Sequence, residues 1–319
     1  MSSISSFYLI IGGGVFGAST AYHLSKFHPE ASIVLVDRSP SFPCPLAASH
    51  DFNKIVRADY GNPFYCKLAV EAREAWKSNA LYKQYYHESG MVVLNDTESG
   101  RKIIKNHEDL KVDHSISMTG PAEMKSLYDG LFEDTDYHGV DQVFINHYSG
   151  WAEATPAVEA VIKAAVANGV RYIQGEIESL TFYDNGDCAG ARTRDGKILR
   201  AERVVLSTGA GTAKLLAKSA PHRQDLQSED RITAAAVVTG VVKLNEEQMK
   251  KFGKSPVFIH AMEGVLGSLC RVKRFASANS FGRRTSTSNP RWYSEILRRR
   301  EFQEYFVGCS VWSDDICPS

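Results

Sequence analysis

Residues 7–37, FYLIIGGGVFGASTAYHLSKFHPEASIVLVD, spell out a complete β-α-β unit. The short apolar run Tyr8 to Ile11 has the character of a buried parallel strand. Gly12-Gly13-Gly14-Val15-Phe16-Gly17 follows and fits G-x-G-x-x-G at Gly12, Gly14 and Gly17. Ala18, Ala21, Tyr22 and Leu24 then recur at helical spacing, and the β-branched run Ile33 to Val36 ends on Asp37. Each residue type has a physical reason. Gly12 permits the tight turn, Gly14 lets a pyrophosphate approach the backbone, and Gly17 lets helix and strand pack closely. The helix start at Val15 and Phe16 offers free N–H groups and the positive end of the helix dipole to phosphates. Asp37 is placed to accept hydrogen bonds from a ribose. Glycine turns also occur for structural reasons alone, but here strand, glycines, helix, second strand and acid agree, which predicts dinucleotide binding. An acid at 37 suits a free ribose 2′-hydroxyl, hence FAD or NAD over NADP, and leaves the choice between those two open.

Outward from this unit, the chain has 319 residues, enough for two domains with sizeable cores. The 37 basic and 37 acidic residues balance, so nothing points to nucleic acid or an anionic membrane as partner. MSSISSFYLII lacks a positive n-region and a small-residue cleavage site, and is expected to be the first strand rather than a signal peptide. No apolar stretch approaches a membrane span. Six cysteines are scattered without C-x-x-C pairs or zinc spacing, which predicts reduced thiols in an intracellular protein and no metal site.

The loop RSPSFPCPLAAS after Asp37 leads into SHDFNKIVRADYGNPFY, residues 49–65, dense in Ser, His, Asp, Lys, Arg and Tyr. Residues 64–86 return to helical spacing, Gly90 to Leu94 predict a strand, and the polar stretch 95–140 predicts one or two surface helices. In FINHYSGWAEATPAVEAVIKAAVANGVRYI, residues 144–173, Thr155 is expected to cap a helix with Pro156 in its first turn. Gly169 should stop that helix, and Val170 to Ile173 should return to the parallel sheet. A hairpin with Asp195-Gly196 at its turn then leads into the strand Val204 to Leu206, followed by Ser207 and Thr208-Gly209-Ala210.

This hairpin, strand and T-G-A resemble the second signature of FAD-dependent oxidoreductases, in which the strand abuts the cofactor. The resemblance moves the expectation from NAD to FAD. A more specific resemblance is to the flavin amine oxidases that include sarcosine oxidase, fungal fructosyl amino acid oxidases (amadoriases), and pipecolate and saccharopine oxidases. It rests on SHDFNKIVRADYGNPFY, on SGWAEA at 149–154 and on LSTGAGTAKLL at 206–216, and it covers the chain to about Phe258. The block at 49–60 is nearest to the fungal members.

The resemblance implies oxidation of a C–N bond in a secondary amine or amino acid. Hydride passes from the carbon beside nitrogen to flavin N5, and oxygen reoxidises the flavin to hydrogen peroxide. It places Ala48, Ser49 and His50 along the flavin and a cation at Lys54 beside the ring, where it would stabilise reduced flavin. Arg57 falls where a guanidinium fork holds the substrate carboxylate. Spacing alone would favour placing Lys54 and Arg57, three apart, on a solvated helix face. On the resemblance, catalytic roles are expected for Lys54, Arg57 and His50. Gly12, Gly14, Val15, Phe16, Gly17, Asp37, Arg38, Ala48, Ser49, His50, Lys54, Ile177, Thr208 and Gly209 are expected to bind the cofactor.

The implied fold is α/β: a Rossmann-like FAD-binding domain of glutathione-reductase type (1–88 and 150–218), interleaved with a mixed-sheet α+β substrate domain (89–149 and 219–263). Residues 264–319 depart from the family pattern. They are rich in Arg and Ser, and neither Cys270 nor Cys309 sits in the Thr-, Asp- and Pro-rich setting of a covalent flavin tether. This stretch is expected to be an atypical tail of a truncated or mis-spliced chain. Two alternatives therefore stay open: an inactive remnant of such an oxidase, or another FAD enzyme such as a hydroxylase or dehydrogenase. The expected partners are a small amine or amino acid and O2, and the expected location is cytoplasmic or peroxisomal, although the chain ends Cys-Pro-Ser rather than on a peroxisomal address.

Overall fold

The structure, a computed structural model, describes residues 3–94, 97–112, 115–228, 231–232, 235–262, 265–272, 275–282 and 305–310. In chain order, β1 (Ser3–Ile11), α1 (Val15–Phe27) and β2 (Ile33–Asp37) form the expected opening unit. Next come β3 (Lys54–Val56), α2 (Pro63–Ser78), β4 (Tyr86–His87) and β5 (Met91–Leu94). The polar stretch that follows holds α3 (Thr97–Asp109) and α4 (Pro121–Met124), and between them a strand that the polar composition did not suggest, β6 (Ile116–Thr119). After β7 (Val143–Asn146) and β8 (Gly150–Ala152), α5 (Ala154–Ala167) leads to β9 (Arg171–Gln174). The meander β10 (Ile177–Phe182), β11 (Cys188–Thr193) and β12 (Ile198–Leu206) precedes α6 (Thr212–Ser219). The remainder comprises β13 (Ala235–Lys243), α7 (Glu246–Phe252), β14 (Val257–Met262), β15 (Val265–Val272), β16 (Phe275–Gly282) and β17 (Tyr305–Ser310).

Two compact units share the chain: one of residues 1–51, 154–236 and 308–319, the other of 52–153 and 237–307. The chain leaves the first unit after Asp51, so residues 52–88 lie in the second.

The first unit is built on a six-stranded sheet in the order β10-β11-β12-β1-β2-β9. β12, β1, β2 and β9 run parallel, while β10 and β11 are the antiparallel meander. Leu9, Ile11, Val34, Val36, Leu180, Leu199 and Leu215 form one buried cluster of this unit. Each fully buried side chain of this kind contributes about 1.5–3 kcal/mol. On α1, Gly17, Ala18, Ala21 and Ser25 are buried, and small residues let α5 pack closely against it. Gly169, at φ +100°, ends α5 as expected. Thr155 does not cap that helix. It lies inside the first turn, and its hydroxyl exchanges two hydrogen bonds with the backbone of Asp51, accepting from N–H at 3.0 Å and donating to C=O at 2.9 Å.

The second unit contains the small sheet β3-β8-β4 and most of an eight-stranded sheet in the order β17-β13-β16-β15-β14-β5-β7-β6. β5 is buried on both faces with strict alternation: Met91 and Val93 join one cluster with Phe144 and Trp151, Val92 and Leu94 another with Phe132 and Ile145. The helical spacing of 64–86 breaks at Ser78, because the Asn79 carboxamide accepts from the N–H of Leu81 and turns the chain. Within 264–319, β15 and β16 form a hairpin continuous with β14, so this stretch carries sheet structure that its weak periodicity hid. Among the described residues, no helix is long and apolar enough to cross a membrane.

Candidate functional site

In the first unit, parallel β1 and β12 end side by side, Ile11 opposite Leu206, with the N–H of Ser207 donating to the carbonyl of Ile11 at 2.8 Å. The glycine turn leaves β1 at this point. Gly12 has φ +103°, and a Cβ there would run into the Ser207 carbonyl. A Cβ on Gly17 would run into the carbonyl of Gly12. Both glycines are demanded by the protein's own backbone. Gly14 is different: it is extended (φ −72°, ψ −173°), and a Cβ on it would make only ordinary contacts, 3.5 Å from Ser49 Oγ and 3.8 Å from Ala47 Cβ. Nothing in the fold requires that residue to lack a side chain. An open space over a backbone at a helix N-terminus is what a bound pyrophosphate needs.

The surroundings of the turn are polar and fixed. Asp37, at the end of β2, accepts from the N–H of Gly13 at 2.7 Å through one carboxylate oxygen and from the N–H of Ser39 at 3.0 Å through the other. With the Cys44 thiol also hydrogen-bonded to this carboxylate, its four acceptor sites still leave one for a further donor. Buried Ser49 accepts the N–H of Val15 at 3.2 Å, which ties the loop 44–50 to the first turn of α1. Burial pushes the thiol of neighbouring Cys44 up, and the Asp37 carboxylate adds to the shift. Phe16 and Val15 are exposed, as are Arg38, Ala48 and His50, the last turned by its N–H donating to the carbonyl of Ala47. Thr208 shares a 2.8 Å hydrogen bond with the hydroxyl of Thr212, and Gly209 takes the left-handed conformation at φ +52°. Ile177 opens β10 with its side chain packed on the core.

In the second unit, Lys54 and Arg57 are not on a helix. Lys54 begins β3, paired with Ala152 of β8, and Arg57 lies just beyond that strand. The half-buried Arg57 guanidinium stands over the Tyr60 ring at 5.0 Å, a cation–π contact. It has no carboxylate partner among the described residues. Below the pair, buried Asp59 accepts from the Asn146 carboxamide at 2.5 Å and from the Ser149 hydroxyl at 2.7 Å. Asn106 donates to the carbonyls of Tyr60 and Gly61, both at 2.9 Å. The SGWAEA segment contributes Trp151, stacked on His87 at 4.0 Å, and Glu153, 3.1 Å from the His87 imidazole.

Residues 8–267 match the family described as DAO, FAD dependent oxidoreductase. The chain belongs to this family. The cradle fits its cofactor, since of the three fingerprint glycines Gly14 alone is not crowded by the protein's own backbone, and it is the one a pyrophosphate would cover. Saccharopine oxidase of Schizosaccharomyces pombe is 27% identical over 265 residues, covering 78% of this chain and 59% of its own length. An amino acid oxidase of Aspergillus fumigatus is 26% identical over 302 residues, covering 82% and 59%. Among solved structures, the fructosamine oxidase Amadoriase II of A. fumigatus superposes with TM-score 0.69 at 27% identity, covering 86% of this chain and 61% of that one. This member of the FAD dependent oxidoreductase family thus spans about three fifths of the length of the relatives it matches.

The candidate residues fall in two groups. The first unit holds Gly12, Gly14, Val15, Phe16, Gly17, Asp37, Arg38, Ala48, Ser49, His50, Ile177, Thr208 and Gly209, and the second holds Lys54 and Arg57. Sequence reasoning did not foresee that Asp37 braces the glycine turn, or that Asp59 is clamped by Asn146 and Ser149. A faint signal existed for the second: Asn146 and Ser149 interrupt an apolar run, and polar residues in such a run are buried only when hydrogen-bonded.

Proposed function

We propose that this chain, loaded with FAD, oxidises the C–N bond of a secondary amine or amino acid and passes the electrons to O2. The reaction takes a secondary amine, O2 and water to a carbonyl compound, a primary amine and hydrogen peroxide. Bound FAD would supply the hydride acceptor and the site of oxygen reduction. The observation that carries the substrate reading is Arg57, a half-buried guanidinium without a carboxylate partner among the described residues, over the Tyr60 ring at 5.0 Å. Such a fork suits the carboxylate of an amino acid, bidentately. The names of the relatives, a saccharopine oxidase and an amino acid oxidase, support the same class.

In this reading the turn Gly12 to Gly17 and the N-terminus of α1 bind the pyrophosphate through backbone N–H groups. Asp37 accepts a ribose hydroxyl with its remaining acceptor site. Val15, Phe16, Arg38, Ala48, Ser49, His50, Ile177, Thr208 and Gly209 complete the cofactor set. Lys54 supplies the cation that favours a reduced, anionic ring, and Arg57 orients the substrate. The substrate domain corresponds to the second unit. The test is to supply FAD to the purified chain and screen N-substituted amino acids for peroxide release and for anaerobic bleaching of the visible flavin band. Arg57→Ala is expected to raise KM for a carboxylated substrate at least ~10-fold, about 1.4 kcal/mol. Bleaching without peroxide would point instead to a dehydrogenase. A bound flavin that no amine bleaches would refute the proposal.

A further inference from the structure

From the second unit we infer that Asp59 is a positioning residue for the two candidate cations, keying both to the β7–β8 segment, 143–152; this rests on the function proposed for Lys54 and Arg57. Two separate sets of contacts run from the block 54–60 to that segment. β3 pairs Lys54 with Ala152, Ile55 with Trp151 and Val56 with Gly150. Three residues after Val56, Asp59 accepts from Asn146, the last residue of β7, and from Ser149, which directly precedes β8. Arg57 lies between these two attachments, so the chain is held on both sides of it by one continuous segment, the end of β7 through β8.

The link between β7 and β8 is itself braced. The side-chain Oδ1 of Asn146 accepts the N–H of Tyr148 at 2.8 Å, and the backbone carbonyl of Tyr148 accepts the Tyr86 hydroxyl at 3.0 Å. The Tyr148 ring lies 5.4 Å from the guanidinium of Arg73, a buried cation of α2. Asn146 and Ser149 have no solvent exposure, and Asp59 is 3% exposed, so these bonds do not exchange with water. Ala58, fully buried, offers its carbonyl to the thiol of Cys66 at 3.4 Å and to His107 Nε2 at 3.1 Å. The backbone of Tyr60, whose ring lies 5.0 Å from the Arg57 guanidinium, is held in addition from α3, where Asn106 donates to its carbonyl. Asp59 touches neither Arg57 nor Tyr60 in any of these bonds. It acts through the backbone on either side of it.

This arrangement is testable by exchanging partners. Asp59→Asn keeps the shape but removes the charge from both bonds: its oxygen accepts from Asn146 while its amide donates to the Ser149 hydroxyl, which loses its own acceptor. Adding Asn146→Asp reverses the pair: the residue at 59 then donates to 146, whose carboxylate still accepts the N–H of Tyr148. The full chain and both variants would be compared by amide hydrogen exchange over 54–61, with 18–27 of the first unit as reference. Asp59→Asn is expected to speed exchange over 54–61 at least ~10-fold and leave the reference unchanged, and the swap to restore protection. With FAD and a carboxylated amine, KM should rise ~10-fold in Asp59→Asn while kcat moves by less than about threefold, and an analogue lacking the carboxylate should show no such rise.

Unchanged exchange over 54–61 in Asp59→Asn would overturn the inference, as would equal KM shifts with and without the carboxylate. Should Asp59→Asn not fold, the swap decides: a folded swap with wild-type exchange supports the keying, and an unfolded one overturns it. A wild-type chain that oxidises no amine would refute the proposed function instead, and hydrogen exchange over 54–61 would then decide the role of Asp59 by itself.

Discussion

Gly12, Gly14 and Gly17 are near neighbours in sequence, whereas Asp59 meets Asn146 and Ser149 across 87 and 90 residues. The first site is made of backbone: a turn, a helix start and the carbonyls that crowd Gly12 and Gly17. The second is made of side chains buried in a hydrogen-bonded set. A backbone site fails when a Cβ appears where none fits. A side-chain site fails when one member of a distant set changes its donors and acceptors. The two regions therefore differ in what breaks them and in how openly they are written in the sequence.

The largest effect is expected at Gly12. Gly12→Ala places a Cβ against the Ser207 carbonyl at a φ that L residues rarely adopt, and should destabilise by at least ~3 kcal/mol, read as a loss in the denaturation midpoint. Asp59→Ala follows. It leaves the buried donors of Asn146 and Ser149 unsatisfied, at about 1–3 kcal/mol each. If that variant were as stable as wild type, the contrast between the two units would collapse. Thr155→Val removes two hydrogen bonds to the Asp51 backbone and should cost about 1 kcal/mol each.

The smallest effect concerns pH and the β11–β12 turn. There the ammonium of Lys197, with help from the Thr193 hydroxyl, holds the exposed Asp195 carboxyl down at about 2. Its folded pKa is depressed. Its contribution is therefore present above the ordinary carboxylate range near 4 and is lost as pH falls through about 2. Asp195→Asn should flatten that part of an acid titration followed by NMR and change nothing near neutrality.

The first unit was legible because its signals are local. Gly12 to Asp37 fit within one β-α-β unit, and Asp195-Gly196 marked a hairpin that β11 and β12 form. Thr155 was misplaced because a capping preference is a local argument, while its hydroxyl answers to Asp51, 104 residues away. The strand β6 was missed because its residues are flanked by polar helices and pair only with β7. Lys54 and Arg57 were found through resemblance. Their spacing suited a helix face, and only the pairing with β8 makes that segment a strand. Asn146 and Ser149 carry only the faint signal of polar residues beside apolar ones, and no spacing rule links them to Asp59.

Gly14 offers the most direct test of the claim that the first unit is a cofactor cradle. Alanine fits there without strain or collision, so Gly14→Ala should cost the cofactor-free protein no more than about 1 kcal/mol, the preference for glycine over alanine at an N-cap. The measurement is a titration of both proteins with FAD, followed by gel filtration and the visible spectrum of the protein peak. Wild type is expected to emerge yellow and Gly14→Ala, equally folded, to emerge colourless. A folded wild type that retains no flavin, or a Gly14→Ala variant that retains as much as wild type, would contradict the claim.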